Sequence, residues 1–155
     1  MHIPRAALHP PLMPRTPLAI ALDATAAAPA APATPLTKNE RLAFAIQAHQ
    51  ARRALAHHTT ANLDAACRLL VCLMAAHHLA ELGIGRECLH LTHEAVDAAR
   101  DVVNRAHRNA SAGELRPLEA EHIDRALTTL DLQVQSDRLT DAIWHTAMHQ
   151  VQQHL

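Results

Sequence analysis

Residues 69–89 read LLVCLMAAHHLAELGIGRECL. The first eight, Leu69 to Ala76, are apolar on every side of a helix. A helix with no polar face belongs at the centre of a bundle, covered by its neighbours. Leu82-Gly83-Ile84-Gly85 then ends that helix. Gly83 supplies the left-handed backbone that helix ends use and that other residues adopt only at a cost. Leu89 opens the next periodic segment, so a very short corner separates the two. A corner this short predicts two helices packed side by side in opposite directions. The chain on either side must then supply the helices that cover the buried one.

Composition agrees. There are 33 alanines and 22 leucines against three glycines and no tyrosine, which are the proportions of an all-α protein. Phe44 and Trp144 are the only aromatic residues besides histidine, so the core must be thin and aliphatic. Such a core favours a partner or a second copy to bury enough surface.

Working outward, Thr37-Lys38-Asn39-Glu40 has the spacing of a capping box and starts a first helix that runs to about His57. The second helix spans Asn62 to Leu82. Asp64, Arg68 and Glu81 are expected to cut its uncharged run below the roughly 18 residues of a membrane span. The third runs from about Arg86 to Asn109, with Leu89, Val96, Ala99, Val103 and Ala106 on one face, and stops near Gly113. Pro117 opens the fourth, whose face is Leu118, Ile123, Leu127, Leu130 and Val134. Ser136 either caps a fifth helix reaching His154 or lies inside one continuous helix. The expected fold is an all-α bundle of four to five helices over residues 37–155. Residues 1–36 hold eight of the nine prolines and read as a disordered Pro/Ala-rich arm. Leu18 to Leu22 is too short an apolar run for a secretory signal.

Charge and residue chemistry narrow the function. The net charge is −1, divided as +1 over residues 1–36, +2 over 37–110 and −4 over 111–155. No broad basic field exists to attract nucleic acid or an anionic membrane, so both are disfavoured as partners. Cys67, Cys72 and Cys88 lack C-x-x-C spacing and read as reduced thiols in a cytoplasm. Cys67 and Cys72 look like core residues, whereas Cys88 falls in the first turn of the third helix, where a thiolate is stabilised. Two serines and no glycine-rich phosphate loop argue against an enzyme, and no cofactor is expected.

Fourteen histidines are the one extreme of the composition. Asp141, His145 and His149 fall at i, i+4 and i+8 on one helix face, a spacing that suits a metal ion. Glu87, His90, Glu94 and Asp97 share another face. Glu87-x-x-His90 and Glu119-x-x-His122 have the form of di-metal bundle ligands. Both lie near helix starts, which antiparallel packing would hold roughly 30 Å apart.

Leu82, Gly83, Ile84, Arg86 and Leu89 give residues 79–91 a local likeness to a known motif. The stretch resembles the helix-turn-helix tail of Fis-type transcriptional regulators. That resemblance implies DNA binding, with Arg86, His90 and His93 as the contacting residues. The chain departs from the pattern at Cys88, where the family has threonine, and at His78 and Leu79, where it has paired alanines. Between residues 86 and 109 four arginines are balanced by Glu87, Glu94, Asp97 and Asp101, which removes the positive helix that phosphate contacts need.

On the last segment Trp144, Met148, Val151 and Leu155 form one apolar stripe, with Leu139, Ile143 and Ala147 beside it. The stripe either docks on its own bundle or forms a seam with a protein partner or a second copy. With no lysine or arginine after Arg138, it is not a membrane-surface helix. The leading expectation is a non-enzymatic helical protein-interaction module, regulatory or self-associating. The alternatives are a Fis-like DNA-binding regulator and a histidine-based metal binder.

Overall fold

The structure, a computed structural model, describes residues 36–56, 62–109 and 114–155. Residues 1–35 of the expected arm, the first helix's end at His57 and the stop at Gly113 lie outside these. The described residues form five α-helices and a short 3-10 turn, with no strand among them. They are α1 (Lys38–Ala54), α2 (Asn62–Glu81), the turn Arg86–Cys88, α3 (Leu89–Arg108), α4 (Pro117–Gln135) and α5 (Asp141–Gln153).

The order of packing follows from α2. Thirteen of its 20 residues are buried, because no face of it is polar enough to meet water. Helices α1 and α3 flank it, α4 lies across from it against both of them, and α5 covers what remains. The result is a four-helix bundle with a fifth helix laid on its central member. By length and composition α2 could cross a membrane, which corrects the expectation that its charges forbid this. Its apolarity is accounted for by the four helices packed on it.

The core is aliphatic and close-packed. Ala48, Ala75, Ala76, Ala95, Ala126 and Ala147 have no exposure, and such small side chains let helix backbones approach each other. Leu69, Leu73, Leu79, Ile123, Leu127 and Leu130 fill the space between them. Phe44 and Trp144 meet edge to face, with ring centroids 5.1 Å apart and planes at 87°. That geometry contributes about 0.5–1.5 kcal/mol beyond area burial.

Each boundary has a local cause. The capping box forms as expected: Glu40 N donates to Thr37 Oγ1 at 3.3 Å and Thr37 N donates to Glu40 Oε2 at 2.6 Å. Pro117 takes the first position of α4. Helices α4 and α5 are separate, and the cap of α5 is Thr140, not Ser136. Thr140 Oγ1 accepts from Ile143 N at 3.2 Å, whereas the extended backbone of Ser136 ends α4. Arg41 of α1 then fastens the start of α5, donating to Leu139 O at 3.0 Å and to Asp141 Oδ1 at 2.6 Å. Leu118, expected on the packing face of α4, is exposed, and the first turn buries Glu119 instead. The reason is Arg105 of α3, whose guanidinium grips both Glu119 oxygens.

Candidate functional site

The corner after α2 is built from backbone geometry. Ile84 N donates to Leu79 O at 2.9 Å and Gly83 N to Ala80 O at 3.1 Å, the paired bonds of a Schellman stop. Gly83 has φ +99°, a value that side-chain-bearing residues adopt only under strain. Ile84, just past it, is buried and pins the turn to the core. Gly85 repeats the left-handed turn at φ +77° and leads into Arg86–Cys88.

Gln133 of α4 closes the corner. Its Nε2 donates to Ala76 O at 2.9 Å and to Ile84 O at 2.7 Å, so one buried amide ties α4 to the body of α2 and to the turn. A methyl group on Gly85 would come within 3.4 Å of that amide. Sequence reasoning missed Gln133. The signal was available: it lies three residues after Leu130, beside Val134, so a polar group occupied a core position of α4. Such a group needs buried partners.

Beside this lock lies a shallow cleft of about 220 Å³, lined in part by Gly83, Gly85, Cys88, Leu132, Gln133 and Arg138. Gln133 Oε1 receives no hydrogen bond from any described residue, although only 2% of Gln133 is exposed. Leu132 is 67% exposed. Arg138 has no ion pair among the described residues. All three cysteines are free thiols. Cys88 is half-buried in the cleft wall, and Cys72 is core, its thiol pushed up to about 12 by burial. Cys67 is exposed, which corrects the expectation that it belongs to the core. Partial burial and the Asp64 charge raise its thiol as well.

Of the contacting residues of the helix-turn-helix likeness, Arg86 lies in the 3-10 turn and His90 and His93 on α3, which packs against α2 and α4. Arg86 is exposed and has no ion pair among the described residues. His90 Nε2 lies 3.0 Å from Glu94 Oε1, and His93 Nε2 lies 3.4 Å from Asp97 Oδ2. Both imidazoles thus face carboxylates of their own helix.

The residues of the metal reading also find protein partners. Asp141 holds Arg41, and His149 Nε2 meets Gln153 Nε2 at 3.0 Å. His145 Nε2 is buried and has no hydrogen bond from any described residue. Among the described residues no three histidine, cysteine, aspartate or glutamate side chains come together as a metal cage. The two Glu-x-x-His motifs are not held apart as expected. Glu94 reaches both, lying 3.0 Å from His90 Nε2 and 3.1 Å from His122 Nδ1. The glutamates do not join them, since Glu119 belongs to Arg105.

Of the apolar stripe, Trp144, Met148 and Val151 are buried in this chain's own core, and Leu155 is 69% exposed. A group of four imidazoles was not anticipated. The rings of His93 and His77 are 5.5 Å apart, those of His77 and His78 5.8 Å, and those of His78 and His154 5.5 Å. His77 and His78 are adjacent in the chain, the corner brings His93 to them, and the return of α5 brings His154.

No family model, no curated protein and no solved structure matches this chain.

Proposed function

We propose that this chain is a non-catalytic helical module that works by binding another protein, and that the α2–α3 corner with the end of α4 is the face it uses. One observation carries the reading: exposed Leu132 stands beside the buried Gln133 amide oxygen, which no described residue satisfies. An unsatisfied buried acceptor costs about 1–3 kcal/mol, and an N–H from a bound chain would recover that. At about 220 Å³ the cleft falls short of the roughly 300–1,000 Å³ of small-molecule pockets, which favours a polypeptide side chain as occupant. The fitting partner presents an apolar side chain for Leu132 with a carboxylate beside it for Arg138. A cytoplasmic setting goes with this reading, because the cysteines are free thiols.

The test is capture from the native lysate on wild-type chain and on the double variant Leu132→Asp, Arg138→Glu, with and without nuclease. A nuclease-resistant protein held by the wild type and lost by the variant supports the reading. Equal retention by both baits overturns it. Retention that vanishes with nuclease moves the chain to the nucleic-acid binders.

A further inference from the structure

We propose that His77 and Glu81 at the end of α2, with His93 and Asp97 near the start of α3, form a binding site for one zinc-class divalent ion. Each helix carries a histidine and a carboxylate at i and i+4, a spacing that puts both on one face. The corner folds α3 back along α2 and brings the two pairs together, with the His77 and His93 rings 5.5 Å apart and inclined at 47°. Two imidazoles that share a tetrahedral ion through bonds of about 2.0–2.1 Å have ring centres about 5 Å apart. The observed spacing therefore needs little adjustment.

His77 is already set up as a ligand. Its side chain is only 18% exposed, and its Nδ1 lies 3.2 Å from Thr92 Oγ1. That hydroxyl gives its one proton to Leu89 O at 3.0 Å, so it must accept from His77 Nδ1. His77 Nε2 then carries the free lone pair. A hydrogen bond on the opposite ring nitrogen is the usual device that orients a metal-binding imidazole. Burial lowers the proton affinity of His77, outweighing the raising effect of Glu81, and His78 and His93 lower it further against Asp97. The ring is thus kept in the neutral form that binds metal. Glu81 is held as well: Oε2 accepts from His78 Nδ1 at 2.7 Å, which leaves Oε1, 3.4 Å from His77 Nε2, for the ion.

The second pair is the adjustable one. His93 Nε2 lies 3.4 Å from Asp97 Oδ2, and both side chains are more than half exposed. Asp97 also lies 3.9 Å from Arg100, a loose contact that an ion would outcompete. As they stand, each imidazole faces the carboxylate of its own helix, and no three of the donors meet at one point. Gathering them needs only rotation of the exposed His93 and Asp97 toward the fixed His77 and Glu81. Two neutral imidazoles and two carboxylates balance a doubly charged ion, and two nitrogen with two oxygen donors suit zinc. Because the ligands come from two helices, the ion would clamp α2 to α3 beside the corner.

The test titrates the full chain with zinc against a chromophoric chelator, after purification without a nickel column and stripping of bound metal. One equivalent should bind at micromolar zinc. His77→Gln and His93→Gln should each weaken binding by about tenfold or more. His90→Gln and His149→Gln, which change rings outside the four, should leave it unchanged. His93 is exposed, so His93→Gln keeps the fold and decides the matter even if His77→Gln unfolds; circular dichroism checks both. Uptake below about a tenth of an equivalent overturns the site. So does binding that His93→Gln leaves unchanged, or binding that His90→Gln and His149→Gln weaken equally, the mark of adventitious histidine contacts. None of these outcomes depends on whether the corner cleft binds a partner.

Discussion

Arg105 and Arg86 stand at the two ends of α3 and are used in opposite ways. Arg105 grips both oxygens of Glu119 and reaches Glu114 O at 3.0 Å. Arg86 is exposed and holds nothing among the described residues. The connection each end must close explains the difference. Between α3 and α4 eight residues, 109–116, intervene before Pro117 starts a helix. A long connection fixes little by itself, and a charged pair staples the two helices. At the other end only residues 82–85 separate α2 from the turn that leads into α3. There glycine geometry sets the path, and a neutral amide, Gln133, completes the closure. One end is therefore held by charge and answers to pH, whereas the other is held by backbone and amide and does not.

The largest effect is expected at the neutral end. Gln133→Ala removes both bonds to Ala76 O and Ile84 O and leaves empty the space of a side chain that is only 2% exposed. Lost hydrogen bonds and cavity together should cost about 2–4 kcal/mol. Urea unfolding measures it, and exchange at Ile84 should accelerate more than exchange in α5. A loss no greater than that of a surface substitution would mean the glycines close the corner alone.

The charged end comes next. Glu119→Gln leaves the Arg105 guanidinium with a weaker acceptor and should cost about 1–3 kcal/mol at neutral pH. Burial alone would push the Glu119 carboxyl up. The Arg105 fork, the Arg116 amide and the nearby charges outweigh it, and the net effect lies below the ordinary 4.5. The folded state therefore holds the charge more tightly than the unfolded one. Its stabilisation is present above about 4.5 and is lost as the pH falls through the lower folded value. Unfolding midpoints at about pH 7 and about pH 3 should show the gap between wild type and Glu119→Gln closing on acidification. The Gln133→Ala gap should stay constant. If both gaps move alike, the contrast between the ends is wrong.

What could be read ahead of the structure was local. The capping box of Thr37 and Glu40, the stop at Gly83 and the apolar run of α2 each declare themselves within a few residues, because propensity, capping and periodicity act over one or two turns. The bundle and its central helix follow from them. What escaped was long-range. Gln133 acts on carbonyls 57 and 49 positions away. The Arg105–Glu119 pair and the four-histidine row depend on which helices become neighbours. The stripe of Trp144, Met148 and Val151 shows why: an apolar face reads the same whether it meets its own bundle or a partner. Ser136 carries a cap hydroxyl, but Thr140, beside buried Leu139, is the residue whose hydroxyl holds Ile143 N.

Arg86→Ala should give the smallest effect and divides the two ends most cleanly. An exposed side chain with no ion pair among the described residues should change stability by no more than about 0.5 kcal/mol. The same variant tests the helix-turn-helix likeness. Duplex affinity at low salt should be weak for the wild type and the same for the variant, because Glu94 and Asp97 put carboxylates against the histidines that follow Arg86. A strong duplex affinity that falls steeply with salt and disappears in Arg86→Ala would show the reverse. Arg86 would then be free of protein partners because its partner is phosphate, and the neutral corner would be the scaffold that presents it.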